Sequence, residues 1–193
     1  MTWRIDHRAV KLGAIGALSG ALSGLVPHDG GTMAFLAVVP GLVFGLLIGF
    51  YLVRAKLATL PQAGNFAVFS TFGNFVAVGL SVAAVASFGK AYNVIVMPAA
   101  GMAGGTILIF AIWRIFPFYH NWRLAIGMVI ACGVAGIAPW PIFELLSISK
   151  DGYPFMAVFI IWQMTFAVGF GLGFPKEKSI GDTETQGDMR PRE

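Results

Sequence analysis

Charge is what this sequence has least of. Of its 193 residues only 11% are Asp, Glu, Lys or Arg, against about 25% in an average soluble domain. Hydrophobic residues make up 57% and the mean hydropathy is +0.78. Water does not solvate such a composition, which excludes an ordinary soluble domain and points to one polytopic helical membrane bundle. Cysteine is nearly missing too. Cys132 stands alone inside an apolar run, so neither an internal disulfide nor a multi-cysteine metal site is expected. The histidines are few: His7, His28 and His120 all lie outside the apolar core segments. There is no H-E-x-x-H, no Walker A loop and no pair of carboxylates within a hydrophobic segment. An intramembrane serine protease needs a Ser and a His facing each other, and Ser19 and Ser23 have no such partner in the sequence pattern. Catalysis, cofactor and metal are therefore not expected. The net charge of +4 is no sign of nucleic acid, because the basic residues flank hydrophobic segments in short groups and form no continuous patch.

Glycine, by contrast, is abundant, with 25 residues. Gly16, Gly20 and Gly24 recur every fourth position in one hydrophobic segment, and Gly41, Gly45 and Gly49 do so in the next. Residues four apart share a helix face, so each segment presents a flat groove into which a neighbouring backbone can settle. Such glycines weaken a helix in water by roughly 1 kcal/mol each, whereas in lipid an unpaired backbone group costs more than the propensity does. The two segments are expected to form a tightly packed membrane hairpin. Gly101 and Gly105, with Gly169 and Gly173, repeat the spacing further on.

The expected fold is all-α, a transmembrane bundle of six spans at about residues 12–26, 33–52, 66–86, 94–113, 124–138 and 155–174. Residues 1–11 form a cytoplasmic N-terminus and residues 175–193 a polar, disordered cytoplasmic tail. The first span is short, about 22 Å of helix against a hydrocarbon core of roughly 30 Å, and a cleaved signal peptide is its competing reading. Residues 27–32 and 61–65 read as turns. Phe116 to Trp122 supply an aromatic belt, and Pro139-Trp140-Pro141 interrupts the fifth span, leaving residues 142–148 along the outer interface. With both ends inside, 11 of the 13 Lys and Arg fall on the cytoplasmic side and only Lys90 and Lys150 outside. Treating the first segment as re-entrant divides them 5 and 8, a far poorer separation. Val39-Pro40 and Met97-Pro98 give a faint internal echo that either stacked hairpins or two inverted halves would produce.

Polar residues near the middle of the spans are the candidate site: Ser19, Asn74, Thr106 and Gln163, with Cys132 and Thr165 beside them. None is charged, which argues against proton coupling, since that needs a midplane group whose charge can change. Their amides and hydroxyls either hydrogen-bond across helices and fix the register or line a path for a neutral solute. Pro40, Pro98 and Pro139 fall in the outer halves of their spans, where each frees a carbonyl and bends its helix toward an outward vestibule. His28-Asp29 is explained by turn chemistry, and Glu144, Lys150 and Asp151 by a solvated rim. Two functions follow: a small transporter or channel for a neutral or weakly polar solute, or a non-catalytic accessory subunit of a larger membrane complex. The glycine faces of Gly16, Gly20, Gly24, Gly41, Gly45, Gly49, Gly101 and Gly105 serve helix packing in both. The expected partners are the lipid bilayer and either a second copy of the chain or a membrane-complex subunit. The expected location is a bacterial cytoplasmic membrane.

Overall fold

The computed structural model describes residues 7–25, 33–88, 93–116, 121–137 and 153–174. Among them are six helices and no strand: α1 (His7–Ser23), α2 (Met33–Arg54), α3 (Leu60–Phe88), α4 (Asn93–Ile115), α5 (Trp122–Ile137) and α6 (Tyr153–Leu172). Three of them, over Phe35–Arg54, Leu60–Ala83 and Ile95–Ile115, are long and apolar enough to cross a membrane; the apolar parts of α5 and α6 are shorter. His28-Asp29, Lys90, Pro139-Trp140-Pro141, residues 142–148, Glu144, Lys150, Asp151 and the polar tail lie outside the described residues.

Each helix packs on the next, and α6 returns to pack on α1, so the six close into a ring in chain order; α6 also touches α2 across it. The glycines explain the closest pairs. A Cβ on Gly16 would meet the Gln163 carbonyl oxygen at 2.5 Å, one on Gly20 would run into the Ile160 backbone, and one on Gly24 into Met156. These successive contacts run in opposite chain directions, which makes α1 and α6 antiparallel. On α2, a Cβ on Gly41 would meet the Ser70 carbonyl oxygen at 2.5 Å, one on Gly45 the Ala67 backbone and one on Gly49 the Ala63 side chain at 3.2 Å, all on α3. On α4, a Cβ on Gly101 would meet the Cys132 carbonyl oxygen at 2.5 Å and one on Gly105 the Cys132 side chain at 3.2 Å, both on α5. The close hairpin expected from α1 and α2 is thus corrected: their glycine faces do not meet each other. Spacing defines the face of each helix, but the neighbour is chosen by which backbone fits it.

Local sequence sets the helix ends. Residues 61–65, expected as a turn, instead form the first turn of α3. Thr59 caps it: the Gln62 side chain accepts the Thr59 N–H at 2.9 Å, while the Gln62 N–H donates to the Thr59 hydroxyl at 3.4 Å. This is the reciprocal Thr-x-x-Gln capping box, and Pro61 is tolerated because first-turn N–H groups have no intrahelical acceptor. Gln62 also donates to the Ile115 carbonyl at 3.0 Å and so ties α3 to the end of α4. Asn121 caps α5, accepting the Leu124 N–H at 3.1 Å. The end of α2 is a Schellman turn in which Leu57 N–H reaches the Leu52 carbonyl at 2.8 Å and Lys56 N–H the Val53 carbonyl at 3.0 Å. Lys56 takes the left-handed conformation there, with φ of 56°.

Aromatic side chains fill the ring. Phe44, Phe66, Phe116, Phe166 and Phe170 are fully buried, with Phe66 stacked on Phe170 at 5.6 Å between centroids and Phe44 edge-on to Phe166 at 6.0 Å. Large apolar residues also cover the outside: Phe50, Val68, Phe72, Phe75, Phe110 and Ile130 are all more than half exposed.

Candidate functional site

The site is built on Pro40, inside α2. Proline has no N–H, so the Leu36 carbonyl one turn earlier loses its helical donor. The Asn74 side chain, buried on α3, supplies a substitute. Its Nδ2 donates to the Leu36 carbonyl at 2.9 Å and to the Ala37 carbonyl at 2.8 Å. One turn back along α3, the Ser70 hydroxyl donates to the Gly41 carbonyl at 2.7 Å. From the other side of α2, Gln163 on α6 donates through Nε2 to the Pro40 carbonyl at 3.2 Å and to the Ser23 hydroxyl at 3.4 Å. Ser23 in turn donates to the Ser19 carbonyl at 2.8 Å. Side chains from α3 and α6 therefore bond to the turn of α2 around Pro40, and Ser23 of α1 joins them through Gln163; every group is uncharged.

Two atoms in this cluster stay without a partner. The Ser19 hydroxyl and Gln163 Oε1 are both buried and make no hydrogen bond. The orientation of the Gln163 amide is set by its neighbour, since turning it over would place Oε1 against the Pro40 carbonyl oxygen. A buried unsatisfied polar atom costs about 1–3 kcal/mol, and such atoms in folded proteins ordinarily mark a bound water, a ligand or a functional site. The pair offers one acceptor-only oxygen and one hydroxyl able to donate or accept. That suits a small neutral molecule and offers nothing to a fixed charge.

No protein family, curated protein or solved structure matches this chain. Of the four polar positions singled out in the sequence, three are brought together around α2: Asn74 directly, Gln163 directly, and Ser19 through Ser23. Thr106 stands apart. It is exposed on α4, and its hydroxyl bonds back to the Met102 carbonyl in its own helix at 2.8 Å, the local bond a Thr hydroxyl makes within a helix. Ser23 and Ser70 were not among the candidate site residues, although Ser23 lies four residues after Ser19 and Ser70 four before Asn74, one turn along the same helices. Trp162 was likewise missed; its indole donates to the Gly101 carbonyl at 3.3 Å and links α6 to α4. Among the described residues no three of His, Cys, Asp and Glu come together.

Proposed function

We propose that this chain is an integral membrane protein whose six helices all cross the bilayer with both ends in the cytoplasm, and that it carries a small neutral or weakly polar solute. Its location is a bacterial cytoplasmic membrane. The crossing is supported by the many large apolar side chains exposed on the outside of the ring and by the division of Lys and Arg into 11 and 2. The observation that carries the transport reading is the pair of unsatisfied buried atoms, the Ser19 hydroxyl and Gln163 Oε1, in the cluster that bonds to the Pro40 carbonyl. A passing solute that donates to one and exchanges a hydrogen bond with the other replaces part of its lost hydration there.

Ser19→Ala tests this without disturbing the packing, because the hydroxyl it removes bonds to nothing. In proteoliposomes, swelling driven by glycerol and urea is expected to fall about tenfold, the equivalent of one lost hydrogen bond, while the melting temperature stays the same or rises. Flux equal to that of empty liposomes in the unmodified protein would sink the transport reading. Gln163→Leu is the poorer test, since it also removes the donor to Pro40 and Ser23.

A second reading, a non-catalytic subunit of a membrane complex, is favoured by a different observation: the Asn74 amide is spent on backbone carbonyls and aromatic rings fill the ring's interior. Glycine faces left over for a partner's helix do not add to it, because the grooves at Gly45, Gly101, Gly105 and Gly169 are all occupied by neighbours within the chain. Native mass spectrometry of gently extracted protein separates the readings: a stoichiometric foreign subunit favours the second, a monomer or homo-oligomer the first.

A further inference from the structure

A groove of about 280 Å³ runs along the outside of the ring between α4 and α5, from Thr106 to Trp113 on one wall and from Ile130 to Ala125 on the other. Its surface is wholly apolar, because the one hydroxyl on its rim, that of Thr106, is turned into its own helix. Thr106 to Trp113 spans about 10 Å of helix, less than one leaflet of a roughly 30 Å core. A polar ligand finds no partner there, whereas a stretch of hydrocarbon chain does.

The groove ends at positive charge. Arg114 follows Trp113, and Arg123 lies one turn before Ile126 on α5; both are exposed, and the Arg123 guanidinium sits 5.6 Å over the Trp122 ring. Arg54 and Lys56, at the end of α2, lie at the same end of the ring, and none of the described residues is acidic. We propose that the α4–α5 groove binds an anionic phospholipid, its acyl chain along Phe110, Ile126 and Ile130 and its phosphate between Arg114 and Arg123. The inference rests on the membrane-crossing reading and not on transport. Its physics is that of basic residues beside a hydrophobic cleft at a membrane surface, where each cation strengthens headgroup binding and the cleft selects one chain among many.

The test is native mass spectrometry of the protein ejected from nanodiscs that contain phosphatidylglycerol and phosphatidylcholine with matched chains. The unmodified protein is expected to retain phosphatidylglycerol in preference. Arg114→Gln with Arg123→Gln should lower that preference about tenfold, and Arg114→Lys with Arg123→Lys should keep most of it. Ile126→Trp, which fills the groove from an exposed position, should lower retention of both lipids alike. Equal retention of the two lipids by the unmodified protein, or an undiminished preference in the double Gln variant with its helix content intact, would overturn the proposal. Failure of the protein to enter nanodiscs at all would overturn the membrane reading beneath it.

Discussion

Asn74 and Pro40 should behave as one unit. The Leu36 carbonyl has no helical donor because residue 40 is proline, and Asn74 Nδ2 occupies the vacancy at 2.9 Å. Asn74→Leu then leaves that carbonyl buried and bare, at about 1–3 kcal/mol, and removes the second bond to Ala37, for which cross-helix hydrogen bonds in membranes average roughly 0.6 kcal/mol. A loss of about 2–3 kcal/mol is expected. In a Pro40→Ala background residue 40 regains its N–H and bonds Leu36 within the helix, so the same Asn74→Leu should cost under about 1 kcal/mol. The coupling is therefore expected at about 1–2 kcal/mol, well above the scatter of roughly 0.3–0.5 kcal/mol seen for independent sites. Reversible unfolding of the four proteins in mixed micelles measures it. Additive effects would refute the assignment of Asn74 to the carbonyl that Pro40 exposes.

Other outcomes follow from single contacts. Gly45→Ala, whose Cβ would run into the Ala67 backbone, should lower stability by about 1–3 kcal/mol, whereas Gly79→Ala, with open space around it, should be neutral or raise it by up to about 1 kcal/mol; the same unfolding assay compares them, and equal effects would remove packing as the reason for the glycine spacing. Lys56→Gly relieves a left-handed backbone at φ of 56° and should add up to about 1 kcal/mol, less whatever the lost cation contributes at the helix end; a fall in melting temperature would show that the charge outweighs the strain. Gln62→Ala should cost about 1–2 kcal/mol, because it removes both the capping box and the bond to Ile115, and it should speed hydrogen exchange in the first turn of α3 ahead of the rest.

Helix positions were legible because hydrophobic runs bounded by Pro, Gly and charge leave few alternatives, and the glycine faces because a spacing of four has one meaning on a helix. The partner of each face was not. Gly16, Gly20 and Gly24 accept residues 156–163, some 140 positions away, and nothing in a local window identifies so distant a backbone. The start of α3 was misplaced for another reason: Pro61 and Gly64 signal a turn to composition, while Thr59 and Gln62 signal a capped helix to geometry, and in the folded chain the cap decides. The polar set was legible as residue types at similar depth. That level says nothing of direction around the helix axis, and Thr106 faces outward for that reason, while Ser23 and Ser70 were passed over although the axial period places them beside Ser19 and Asn74.

The placement of the unsatisfied pair on the seam between α1 and α6 bears on how stability and function are separated. Most of the ring's contacts join helices adjacent in the chain, which short connections bring together at little entropic cost. The α1–α6 seam joins the first described helix to the last, and it is held by glycines against backbone, with no ion pair between the two helices among the described residues. Ser19 and Ser23 come from one side of the seam and Gln163 from the other. Removing the shape of the seam, as in Gly16→Leu, is therefore expected to abolish folding and flux together, which identifies neither cause. Ser19→Ala keeps the shape and removes one unsatisfied group from it. Any loss of flux in that variant belongs to the chemistry of the cluster, and unchanged flux with unchanged stability would reduce Ser19 to a small residue that lets two helices approach.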